Sequence, residues 1–69
     1  DYDGAIAAYQ EILKSHPDHQ KALLELGRTA REKGDTAAAV QYLEKAVSVD
    51  AGSDLAGEAR TILAQIKTQ

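Results

Sequence analysis

Two stretches of this chain repeat one another at an interval of 34 residues, and that interval constrains the fold more than any other feature. Laying the first stretch over the second pairs Asp1 with Asp35, Ala5 with Ala39, Tyr9 with Leu43, Ile12 with Ala46 and Leu13 with Val47, each 34 apart (39 − 5, 43 − 9). Self-similarity at 20–50 residues marks a chain built by stacking one supersecondary unit, because a single unit cannot bury its own apolar face. The unit is expected to be helical. Alanine, leucine, glutamate, lysine and glutamine are abundant and Pro17 is the only proline, so helix is the propensity choice almost everywhere and no strand is expected.

Taken in order, the chain divides into four helical segments. Asp1 can cap a first helix over about Tyr2–Ser15, whose Ala5, Ile6, Tyr9, Ile12 and Leu13 recur at steps of three and four. Pro17 ends it, lacking an N–H and pushing His16 out of the helical region. Asp18 is the expected cap of a second helix that continues to about Lys33 and stops at Gly34, a residue suited to the left-handed conformation beyond a helix end. Asp35 caps a third helix over about Thr36–Val49. The cluster from Asp50 to Asp54, with Gly52 and Ser53, is a turn. A fourth helix follows over about Leu55–Lys67, with Ala59, Ile62, Leu63 and Ile66 on one face. Turns this short make neighbouring helices antiparallel. A closed four-helix bundle and an open stack of helix pairs both satisfy that outline, and the internal repetition favours the stack.

The unit Gln20–Ser53 places Leu23, Leu26, Gly27 and Ala30 on its first helix and Ala39, Leu43 and Ala46 on its second. In this pattern the chain resembles the tetratricopeptide repeat family, whose period is about 34 residues. The small residues admit close approach of two helices, and a side chain at Gly27 would overpack the seam. The resemblance implies an all-α, right-handed superhelical stack of antiparallel helix-turn-helix units. Residues 1–19 then match the second helix of a partial repeat through Ala5, Tyr9 and Pro17, residues 20–53 form a complete repeat, and residues 54–69 form a capping helix. Aligning Ala59 with Leu23 needs a shift of 36 and puts Leu63 at the glycine position (59 − 23, 63 − 27). Ala51 stands where the family usually has proline. Asp1 enters a helix at once with no initiator methionine, as a piece of a longer array would.

Composition narrows the function further. A net charge of −3 with interspersed signs offers no basic stripe for phosphates, and Tyr2, Tyr9 and Tyr42 are too scattered for base stacking, so nucleic acid is not an expected partner. No apolar run approaches the ~20 residues of a membrane span. The segment reads as soluble, and the absence of cysteine fits a reducing compartment such as the cytoplasm. No phosphate loop, nucleophile elbow or cysteine supports catalysis, and no cofactor is implied. His16 and His19 flank a turn that breaks the geometry needed to aim them at one metal, so they read as surface residues.

What remains is binding. The second face of the second helix carries Lys21, Leu24, Glu25, Arg28, Arg31 and Glu32. By resemblance, the first helices of successive repeats line a concave groove for a protein or peptide, and Lys21, Leu24, Arg28, Arg31 and Glu32 occupy its usual contact positions. The alternative is a solvated face laced by Lys21–Glu25 and Arg28–Glu32 pairs, each worth only ~0.2–0.5 kcal/mol. Leu24 tips the balance, as an apolar side chain expected to be exposed amid charge. Burial of Leu24 against a neighbouring helix would instead point to a bundle without a groove. The cations on this face favour an acidic or C-terminal carboxylate ligand. Of the chaperone-tail clamp positions known in some relatives only Lys21 agrees, so that specialised clamp is not expected. A second candidate is a homodimer through Ile6, Tyr9 and Leu13, which would be partly uncovered where the first helix lacks its repeat mate.

Overall fold

A computed structural model describes residues 1–68 and consists of four helices of 14 residues each. They are α1 (Tyr2–Ser15), α2 (Gln20–Lys33), α3 (Thr36–Val49) and α4 (Asp54–Lys67), with no strand among the described residues. Gln69, the last residue of the expected capping segment, lies outside that range. Helix α2 packs between α1 and α3, while α4 packs against α3 and α2. Helices α1 and α4 do not meet. A four-helix bundle must close its first helix on its last, so the chain is an open stack, a slab of 30 × 27 × 15 Å.

The helix ends show how local chemistry sets this path. Gly34 has φ 98°, and the Asp35 N–H reaches back to the Ala30 carbonyl at 2.9 Å while the Gly34 N–H reaches that of Arg31 at 3.0 Å. This is the paired closing bond of a glycine-terminated helix. Asp35 then caps α3, its Oδ1 accepting from the Ala38 N–H at 3.2 Å. Two expected caps differ. At α2 the cap is His19 rather than Asp18, with Nδ1 accepting from the Ala22 N–H at 3.1 Å, because the turn after Pro17 consumes one residue more before the helix begins. At α1, Asp1 holds the cap position without a side-chain bond. Its carboxylate lies over Gly4 instead, where a Cβ would stand 2.6 Å from Oδ2.

The core lies between α2, α3 and α4. Leu23, Leu24, Leu43, Ala46, Ala59, Ile62 and Leu63 form one buried cluster, with Leu13 of α1 packed against its edge. Gly27 is required where expected: a Cβ there would lie 2.5 Å from both Cγ and Cδ2 of Leu43. Helix α1 buries no residue completely. It is tied to α2 by packing and by the Lys33 Nζ–Asp3 Oδ1 ion pair at 2.7 Å. That bond and the ammonium charge hold the Asp3 carboxyl below its usual range, and the carboxylate in turn raises Lys33.

Candidate functional site: the cleft between α2 and α4

The structure keeps the 34-residue step through every helix. Helix α3 starts 34 residues after α1 (36 − 2), and α4 starts 34 residues after α2 (54 − 20). The shift of 36 for α4 is therefore corrected to 34, since the Ala51–Ser53 turn matches the length of the Pro17–His19 turn. In this register Thr61, not Leu63, stands at the position of Gly27 (61 − 27), and Leu63 is buried toward its neighbours instead.

Gln20 fixes how α4 docks. Its Nε2 donates to the carbonyls of Ala46 at 2.8 Å and Asp50 at 3.1 Å, and its Oε1 accepts from Ser53 Oγ at 2.9 Å. The same Ser53 hydroxyl accepts from the Ala56 N–H at 3.0 Å and so caps α4. One amide therefore joins the start of α2, the end of α3 and the start of α4. Sequence reading passed over Gln20, because a glutamine at a helix start has no periodicity to mark it; its only signal was its place opposite the Asp50–Ser53 turn.

With α4 docked, the face of α2 that carries the candidate binding residues is no longer free along its length. Leu24 is 0% exposed and belongs to the buried cluster with Ala59, Ile62 and Leu63 of α4. The expectation of an exposed Leu24 is overturned, and with it a contact role for that residue: the apolar side chain among charges is the seam between α2 and α4. Its burial fits a bundle equally, but the separation of α1 from α4 argues for the stack. Beyond Leu24 the two helices diverge into a cleft of about 430 Å³ whose walls include Arg28, Arg31 and Glu32 of α2 and Glu58, Thr61, Ile62 and Gln65 of α4. Lys21 is exposed, two turns before Arg28, and takes no part in these walls.

The expected Lys21–Glu25 and Arg28–Glu32 pairs are replaced by contacts that only the fold supplies. Arg28 Nη2 binds Glu58 Oε1 at 2.7 Å across the cleft, and Arg28 Nε lies 3.7 Å from Glu25 Oε1. Arg31 Nη1 donates to the neutral amide oxygen of Gln65 at 2.7 Å, and no described carboxylate forms an ion pair with it. The two arginines thus differ. Arg28 lies between two carboxylates, whereas Arg31 keeps its full charge and has an unused guanidinium edge.

A family model for the tetratricopeptide repeat matches residues 1–56. The chain belongs to that family. No curated protein matches it. Tetratricopeptide repeats generally mediate protein–protein interaction, and the family is typically a non-catalytic scaffold. Among the described residues no group of three or more His, Cys, Asp and Glu side chains could hold a metal ion, and no helix is long and apolar enough to cross a membrane. His16 and His19 are exposed, their rings 6.5 Å apart and nearly perpendicular.

The residues of the alternative surface sit differently from one another. Ile6, Tyr9 and Leu13 are each half-buried. The apolar side chains that α1 leaves open are Tyr2 and Ile12, the latter 37% exposed and beside the exposed Ala8 in a shallow groove.

Proposed function

We propose that this tetratricopeptide segment supplies part of a peptide-binding groove, and that the cleft between α2 and α4 anchors an acidic side chain or the C-terminal carboxylate of a protein partner on Arg31. Arg31 carries the reading, as the cleft cation held by a neutral amide rather than a carboxylate. Its free guanidinium edge is suited to two parallel N–H···O bonds to one carboxylate. Glu32 and Lys21, exposed on either side of it along α2, would read flanking charges on the ligand. The test uses an N-acetylated, fluorophore-labelled peptide with a free C-terminus and its C-terminally amidated twin. The free acid should bind the whole chain more tightly, and Arg31→Gln should weaken it by about ten-fold, the size of one charge-assisted bond. Equal binding of both peptides to wild type and Arg31→Gln would sink the reading.

A second reading, homodimerisation through α1, is favoured by the exposure of Ile12 beside Ala8. Its contact surface is then Ala8 and Ile12, flanked by the half-buried Ile6, Tyr9 and Leu13. Sedimentation equilibrium should show a dimer that Ile12→Glu dissociates, and a wild-type monomer at millimolar concentration would exclude it.

A further inference from the structure

The two arginines of the cleft are three residues apart on one helix face, close enough for a single ligand to span both. They are not equally available. Arg28 is bonded to Glu58 from the opposite wall at 2.7 Å, in the place that a ligand's carboxylate would take, and its Nε edge faces Glu25 at 3.7 Å. Arg31 faces only Gln65. From this asymmetry we infer that Glu58 is the specificity-determining residue of the cleft. By occupying Arg28 it restricts the site to ligands that present one carboxylate, and it withholds the second cation from ligands that present two adjacent ones. The inference rests on the carboxylate-binding reading above and adds to it the chemistry of the partner.

The pair has the strength that such a filter needs. Both side chains are part-exposed, Arg28 at 43% and Glu58 at 48%, so the ion pair is a weak one screened by solvent. A ligand's second carboxylate gains nothing by displacing Glu58, since one Arg–carboxylate bond replaces another and a like charge is released beside it. A neutral residue at position 58 removes that competition. Gln65 shows the effect on Arg31, whose amide partner leaves the cation open.

Two N-acetylated peptides of equal length serve as probes, one ending in Gly-Ala with a single carboxylate and one ending in Gly-Asp with two. Each is titrated into the whole chain while the Nε–H resonances of Arg28 and Arg31 are followed by NMR. Wild type should bind both about equally. Glu58→Gln should bind the di-acid roughly two- to five-fold more tightly than the mono-acid, the range expected from freeing an exposed pair. The double variant Arg28→Gln, Glu58→Gln should lose that gain. An unchanged ratio in Glu58→Gln, or a gain that survives loss of Arg28, would overturn the proposal.

Sodium sulfate separates this outcome from failure of the parent reading. If neither peptide moves the wild-type resonances, carboxylate-peptide recognition falls. Sulfate binding at Arg28 and Arg31 in Glu58→Gln, with wild type silent, would still establish the masking role of Glu58. Sulfate silence in both would refute it. Circular dichroism of each variant confirms that the helices are retained.

Discussion

Single side chains decide whether α2 can stand between its neighbours. Gly27 is the clearest, because a methyl group there would lie 2.5 Å from Leu43. Gly27→Ala should therefore destabilise by about 1–3 kcal/mol in urea unfolding although alanine is the better helix former. Combining it with Leu43→Ala should cost clearly less than the sum of the two, as expected for residues sharing one space. Leu24→Ala should cost about 2–5 kcal/mol as a buried cavity, whereas an exposed leucine would cost almost nothing; the same unfolding curves discriminate. At the cap, His19→Ala should lose roughly 0.5–2 kcal/mol and His19→Asp should retain or exceed wild-type stability, because a carboxylate both accepts the Ala22 N–H and favours the positive helix end. Gly27 was legible from its place in a Leu-Gly pattern. His19 was not, since Asp18 is the stronger capping residue and only the path of the turn selects between them.

Between elements, the contacts are polar clasps at helix ends laid over an apolar seam. The Asp3–Lys33 pair clasps α1 to α2, with Asp3 lowered and Lys33 raised. A carboxyl depressed in the folded state adds stability above its unfolded value near 3.9 and loses it as pH falls through its folded value. A raised ammonium adds stability below its unfolded value near 10.4 and loses it as pH climbs through its folded one. The contribution should be level between those limits and fade on both sides. Asp3→Asn should accordingly flatten part of the acid limb in a melting-temperature profile while leaving the difference at neutral pH small, because both side chains are exposed. The second clasp is Gln20. Gln20→Ala should loosen the start of α4 first, seen as faster amide exchange from Ala56 onward, and Ser53→Ala should add little on top of it since both act through one bond. The four helices and their stripes could be read from spacing alone. These clasps could not, because each joins residues 30 or more positions apart whose pairing depends on the finished stack.

At the scale of the whole molecule, the open stack makes stability graded rather than uniform. Helices α2 and α3 share the core and hold most of the buried side chains, α4 contributes Ala56, Ala59, Ile62 and Leu63, and α1 contributes none. Hydrogen exchange should show protection highest in α2 and α3, lower in α4 and lowest in α1; uniform protection across all four would indicate a closed cooperative bundle instead. The family and the all-helical architecture were recoverable from a 34-residue recurrence. The cleft was recoverable only in part, because Arg28, Arg31 and Glu32 were assigned to the right face while Glu58 and Gln65, the residues that make the two arginines unlike, lie on a helix whose register the sequence pattern misplaced by two.

The constant step from helix start to helix start also governs what recombination can do to such a chain. Duplicating Gln20–Ser53 in tandem would return each helix to the same length and each turn to the same span, with a second Ser53 positioned to cap whatever follows. Losing or gaining a single residue within a helix would instead rotate everything after it by about 100° and carry Leu24, Gly27 and Ala30 off the seam together. Change by whole rungs is thus mild where change by one residue is severe, so growth in length and drift in sequence act on this architecture as separate kinds of variation.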